Sequence, residues 1–365
     1  MKNDALKPLH LICITTLFNT SSILVFRGFT ESGNINWVTP IISAIAVFIC
    51  SISLFSVANK YQGKNIYEVI DTIFPRWLSL LLSIIYAGYA IYLLGRILKN
   101  TGILITNVAL NKTPQFLLEL FIIAICAYAL WYGVSVFGRL SILSFVVTFF
   151  AVGITFIMSF SNIAPENFLP LIPNSFESVI SDSFSFFAIP FAENILLYNI
   201  YSESQKPKKS LRYFAIGLSV ATLVISAVSF LTLSVLGLGT LENLFYPFYT
   251  TVSVIKNGSF FSRMEVFISA SLILNLLTKL CVCFYAALGF FNHFNVFKKK
   301  SICYFSVAIL SMVVSLTLPS TNEEMKNNLE IYKMWAPFIQ ILIPITIIVG
   351  ILIKKRLKTT KNPNS

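Results

Sequence analysis

Ten apolar runs follow one another along the chain, at 8–28, 36–58, 77–98, 114–134, 139–160, 182–201, 211–238, 264–291, 302–319 and 335–354, with only short polar segments between them. Each is close to the ~20 residues that cross a hydrocarbon layer about 30 Å thick. Inside such a layer every backbone N–H and C=O must find a partner within the chain, so runs of this length fold as helices. The rest of the composition agrees: 56% of the 365 residues are hydrophobic and 12% are charged, with a mean hydropathy of +0.79. No polar stretch is long enough to form a soluble domain, so 1–365 reads as one transmembrane domain with a basic tail at 355–365. The opening Met1-Lys2-Asn3-Asp4 lacks the pattern of a cleavable signal, and the first run is expected to remain as a span.

Cytoplasmic loops carry the excess of Lys and Arg, which orients the bundle. With ten spans both termini share a side. That side holds 18 basic residues, including Lys60, Lys64, Lys206, Lys208, Lys209, Lys298–Lys300 and Lys354–Arg356. The other holds 8: Arg27, Arg96, Lys99, Lys112, Lys256, Arg263, Lys326 and Lys333. Both termini are therefore expected in the cytoplasm. The net charge of +12 reflects topology and contact with anionic membrane lipid, and nothing else in the chain points to nucleic acid.

Cys13, Cys50, Cys126, Cys281, Cys283 and Cys303 all fall in apolar runs without the spacing of a metal site, and core packing is their expected role. His10 and His293 lie near opposite ends of the chain, so there is no triad and no metal set, and neither an enzyme nor a cofactor is expected. The longest loops, 161–181 and 239–263, fall on the side away from the termini; the second is expected to carry a short interfacial helix. Between the second and third spans, Ile66, Val69, Ile70 and Ile73 form one apolar face of a surface helix.

Ionisable groups deep in a span cost about 2.5–3.5 kcal/mol each on insertion scales, so each requires an explanation. Glu193 in the sixth span and Lys279 in the eighth are two such groups. Both are expected to face the bundle interior, either as a structural ion pair or as part of a ligand or proton site. Ser271, Asn275, Thr278 and Lys279 share one helical face, and Tyr86, Tyr89, Tyr92 and Arg96 form a similar stripe on the third span. Interhelical hydrogen bonding is the more ordinary account of both stripes, with ligand contact the alternative. Two spans invite a break: the sixth at Pro190, which removes a backbone donor, and the first at Asn19-Thr20-Ser21-Ser22. Paired interruptions at corresponding places in two halves mark the central site of inverted-repeat transporters.

Tyr132-Gly133 followed by Arg139, then Pro190-Phe191-Ala192-Glu193, then Tyr246-Pro247 with Ile255, Gly258 and Arg263-Met264-Glu265 resemble the B subunits of bacterial spore nutrient-germinant receptors, the germination permeases of GerAB and GerKB type. The resemblance covers nearly the whole chain. It implies an all-α, LeuT-like fold of the amino acid/polyamine/organocation superfamily, with about ten helices in two inverted five-helix repeats, about 8–160 and 182–354, and broken first and sixth helices. It also implies sensing of a small nutrient such as an amino acid at the spore inner membrane, together with A and C subunits. The alternative is a secondary transporter of an amino acid or cation.

The ligand site is then expected where the first and sixth spans break. Thr20, Ser21 and Ser22 beside Asn19 offer donors to a carboxylate, and carbonyls near Ile189 and Phe191, with Glu193, suit an ammonium. Tyr89 would close one wall, Phe187 or Phe191 would meet the ligand side chain, and Lys279 would border the site.

Overall fold

A computed structural model describes residues 5–25, 28–169, 172–254, 259–319 and 321–361, without the side chains of 259–264, 322, 323, 326 and 355–361. Lys2, Arg27, Pro170, Ile255, Lys256 and Gly258 lie outside the described residues, as do the side chains of Arg263, Met264 and Lys326. Nine helices are long and apolar enough to cross a membrane among the described residues, and Gln115–Trp131, with 17 residues, is at the short limit of a span.

The chain enters through α1 (Pro8–Val25) and, after a 3₁₀ turn at Gly33–Ile35, returns through α2 (Thr39–Lys60). Helix α3 (Ile66–Ile73) opens with a capping box, in which the Asn65 side chain accepts from the Glu68 amide and Glu68 accepts from the Asn65 amide. Ile66, Tyr67, Val69 and Ile70 are fully buried, so this helix docks into the end of the bundle and does not merely lie on its surface. Helices α4 (Arg76–Val108), α5 (Gln115–Trp131) and α6 (Val134–Ser159) complete the first five spans. The Tyr132-Gly133 pair makes the two-residue turn from α5 into α6, and Gly133 sits at φ +109, a conformation that glycine alone adopts without strain.

The sixth span is α7 (Phe176–Phe186), a wide turn at Phe187–Phe191 that departs from helical geometry at Ile189, a 3₁₀ turn at Ala192–Leu196, and α8 (Leu197–Tyr201). Pro190 removes a donor from this ladder. Side chains from other spans reach carbonyls along this irregular stretch: Gln340 Nε2 donates to Ala188 O at 3.1 Å and Tyr86 Oη to Ile195 O at 3.2 Å. Helices α9 (Ser210–Leu236), α10 (Leu238–Leu241) and the short α11 (Pro247–Val254) lead into α12 (Ser259–His293), α13 (Lys300–Thr317) and α14 (Asn322–Lys361). Helix α11 begins at the Tyr246-Pro247 motif, and Asn107 Nδ2 at the end of α4 donates to Tyr246 Oη at 3.3 Å.

The expected break within α1 is not there. Asn19, Thr20, Ser21 and Ser22 are helical, and the helix ends only at Val25. Thr20 Oγ1 donates to Thr16 O, Ser21 Oγ to Phe18 O, and Asn19 Nδ2 to Thr15 O, at 3.0, 2.9 and 2.8 Å. Short polar side chains bonded back onto their own turn are satisfied without unwinding it.

Contacts between loops separate the two ends of the bundle. At one end Leu6 N donates to Glu203 O (2.8 Å), Lys300 Nζ to Trp131 O (3.3 Å) and Lys354 Nζ to the Thr72 carbonyl. At the other, Asn174 Nδ2 donates to Glu31 O (2.9 Å) and Ala164 N to Ser234 O (3.1 Å). This alternation is the one ten crossings require. Outward-facing side chains such as Ile41, Ile45, Ile49 and Ile52 on α2 and Phe121 and Ile125 on α5 form lipid-facing stripes, while α1 is buried on nearly every side. Five cysteines are buried; Cys50 is exposed on the outer face of α2, so core packing does not describe it. Arg96, Lys99 and Lys333, counted above as loop charges, are buried within helices. Removing them from the count widens the asymmetry. Reporter fusions at Lys209 and Pro173 are expected to label opposite sides, with Lys209 cytoplasmic; labelling of both on one side would refute the topology.

Candidate functional site

The break at Pro190 presents Glu193 to the middle of the bundle, where the side chain is fully buried. Lys279 on α12 faces it, and the two form an ion pair at 2.5 Å with both side chains essentially inaccessible. Lys279 Nζ also donates to Ser22 Oγ on α1 (2.8 Å) and stands 4.9 Å from the Phe18 ring centre. On the opposite side Tyr332 Oη donates to the other carboxylate oxygen of Glu193 (2.8 Å). Tyr89 Oη lies 2.9 Å from Tyr332 Oη, and Gln340 Nε2 donates to Tyr89 Oη at 2.8 Å. With Tyr332 donating to the carboxylate, Tyr89 donates to Tyr332 and Gln340 to Tyr89. Every hydrogen in the chain then points toward Glu193, and bonds so aligned reinforce one another.

Ser22 and Glu193 reach the base of a cavity of about 540 Å³, with Lys279, Tyr332, Tyr89 and Gln340 packed behind them. Ser22, Ile189 and Glu193 lie at its base; Arg96, Lys99, Asp182, Asn328 and Lys333 stand around it; Glu31, Glu242–Phe245 and Leu318–Pro319 form the mouth, on the side away from the termini. Toward the termini the bundle is packed shut: Tyr67 Oη donates to Ala286 O (2.7 Å), Ile66 N to Asn199 Oδ1 (3.0 Å), and the Thr15 and Tyr201 hydroxyls meet at 2.8 Å. Two further acids at the wall are engaged. Asp182 accepts from the amides of Glu31 and Ser32 at 3.2 and 2.8 Å, and Glu330 pairs with Lys333 at 2.7 Å.

The family model described as "Spore germination protein" matches residues 6–324. The chain belongs to the spore germination permease family. Spore germination protein KB of Bacillus subtilis (strain 168) is 24% identical, over 96% of each chain. Spore germination protein YndE of the same organism is 21% identical, over 79% of each. Among solved structures, a Na⁺-coupled sialic acid symporter in a substrate-bound, outward-open state superposes with a TM-score of 0.64 at 12% identity, covering 93% of this chain and 78% of that one. Mhp1, a nucleobase-cation-symport-1 transporter bound to bromovinylhydantoin, gives 0.62 at 13% identity, covering 92% and 78%. At such identity these likenesses establish the fold, which is LeuT-like and all-α, and leave the chemistry of the site to its own residues.

Of the residues singled out from the sequence of this germination permease, Ser22 and Glu193 line the cavity base, and Lys279 bonds both from behind without lining it. Tyr89 stands one hydrogen bond behind, through Tyr332. Thr20 is buried and accepts from Asn275 Nδ2 at 3.1 Å, and Asn19 donates to Asn194 Oδ1 at 3.0 Å, tying α1 to α12 and to the broken sixth span. Ser21 and Phe191 are buried in the packing, and Phe187 stacks on Phe184 with centres 6.4 Å apart; none of these lines the cavity. Because α1 does not unwind, the amides of Thr20 to Ser22 remain in its ladder and offer nothing to a carboxylate. Tyr332, Gln340, Lys333 and Asn328 complete the site and were not evident from the sequence. Their signal was Gln340, an amide inside the last apolar run, with Tyr332 eight residues and Lys333 seven residues before it, on the same helical face.

Proposed function

We propose that this chain is the nutrient-sensing B-type subunit of a spore germinant receptor, binding a small nutrient, an amino acid by chemistry, in the cavity above Glu193, Lys279 and Tyr332. The observation that carries this is the buried ion pair at the break of the sixth span, beneath a cavity that opens to one side of the bundle and is sealed toward the other, in a germination permease. A charge pair withdrawn from water at the base of a cavity is costly unless it is fully bonded, so a ligand that changes its hydrogen bonds biases the packing of α12, α14 and the broken span. The family supports A and C subunits as the partners that read the change and the spore inner membrane as the site, with both termini cytoplasmic.

The test is germination of a deletion strain complemented with this gene and its operon neighbours, against a panel of amino acids. Ser22→Leu, which fills the cavity base, is expected to abolish the nutrient response while the protein accumulates normally. Tyr332→Phe, which removes one hydrogen bond to the carboxylate, is expected to raise the effective nutrient concentration about tenfold. Unchanged responses in both variants would place the ligand elsewhere. The fold is equally that of cation-coupled symporters, so net nutrient uptake by vesicles carrying the isolated chain would favour transport.

A further inference from the structure

Two cations in the cavity wall have no counter-ion among the described residues. Arg96 and Lys99 lie one turn apart on α4, each 7% exposed and each lining the cavity. The ion pairs among the described residues involve other cations: Lys279, His293 and Lys333. Arg96 Nη1 is buried with no hydrogen-bond partner. Its guanidinium lies over the Tyr332 ring at 3.9 Å from the centre. Stacking occupies the face of the guanidinium and leaves its N–H edge free. That edge is the part that grips a carboxylate through two parallel bonds.

Two like charges three residues apart on a helix repel, and a buried charge without a partner is more costly than one that is paired. The protein accepts both costs at one place, beside the cavity. We propose that Arg96, with Lys99, is the anion-recognition element of this site, and that the ligand is a small molecule bearing a carboxylate. This rests on the reading of the cavity as the nutrient site and assigns the side chains that hold the ligand's anion: amino acids and other carboxylates fit, and neutral sugars and nucleosides do not. The placement also couples recognition to the base of the cavity. Tyr332 carries Arg96 on its ring and donates from its hydroxyl to Glu193, so one side chain joins the ligand's anion to the Glu193–Lys279 pair.

The test uses the purified full-length chain in lipid nanodiscs, with melting temperature as the readout. The probes are the common L-amino acids, their carboxamides, glucose, fructose and inosine. At least one amino acid is expected to raise the melting temperature, and its carboxamide is not. Arg96→Gln is expected to weaken that binding by on the order of 100-fold and Lys99→Gln by about tenfold. Without ligand, Arg96→Gln is expected to melt no lower than the parent, because it removes an unpaired charge; a merely structural arginine would lower it. Binding of a carboxamide or a neutral probe as tightly as any acid, unchanged binding to Arg96→Gln, or no shift with any amino acid would each overturn the proposal. Failure of the sensing role shows separately: spores lacking the chain would then germinate normally on every nutrient, whatever the nanodiscs report.

Discussion

Lys279→Met is expected to lower the stability of the bundle by about 3–5 kcal/mol, because it leaves the Glu193 carboxylate buried without its cation. Both side chains are fully buried in the middle of the bundle, and the ammonium holds one carboxylate oxygen at 2.5 Å while also binding Ser22. Solvent cannot replace it. Glu193→Ala is expected to be similarly damaging, since it leaves the ammonium with only the Ser22 hydroxyl and the Phe18 face. The double variant Glu193→Gln with Lys279→Met removes both charges together and is expected to recover most of the loss, because an apolar or neutral replacement of a buried pair is often tolerated. Melting temperatures of the four proteins in one detergent or nanodisc preparation decide this. If the single variants melt with the parent, the pair is not the buried contact described above. The double variant also separates structure from signalling: it is expected to reach the membrane and fail to respond to nutrient.

Gly95→Val should cost about 3 kcal/mol, at the upper end of what overpacking does to a close-packed core. A Cβ at position 95 would lie 2.6 Å from Val314 Cγ1 and 2.8 Å from the Ser311 carbonyl on α13, and backbone cannot yield as a side-chain tip does. Small residues let membrane helices approach this closely, and dispersion between their backbones is a large part of what holds them together. The consequence reaches the site, since Gly95 precedes Arg96 and any displacement of α4 moves the guanidinium off the Tyr332 ring. Gly153 on α6 is the matched control. Nothing lies within 4 Å of a Cβ built there, so Gly153→Ala is expected to be neutral or to gain up to about 1 kcal/mol from helix propensity. Thermal melting of both variants checks the pair, and equal effects at the two positions would remove the argument from close approach.

The sequence by itself determined the transmembrane class, the ten apolar runs, the break at Pro190 and the inward direction of Glu193 and Lys279. Each follows from a local cost that no fold evades: hydrocarbon demands about twenty apolar residues in helical form, proline lacks a donor, and a charge in a span cannot face lipid. The capping box that begins α3 was legible in the same way, from Asn65 and Glu68. Where the reading failed, hydropathy and solvation point in opposite directions. Arg96 and Lys99 looked like the end of the third span, yet α4 continues to Val108, and Tyr332 and Lys333 precede the last apolar run, yet α14 already includes them. A hydropathy pattern ends a span at its first charges, whereas the folded bundle keeps the helix going wherever neighbouring helices and a cavity give those charges surroundings. Asn19 to Ser22 failed for the converse reason: polar residues that suggest unwinding are content in a helix when Thr16 O, Phe18 O and Thr15 O accept from them. Only the tertiary structure decided that Tyr332 stands between Arg96 and Glu193. Those three residues come from α4, the broken sixth span and α14, and their meeting depends on how helices far apart in sequence pack, which no local pattern encodes.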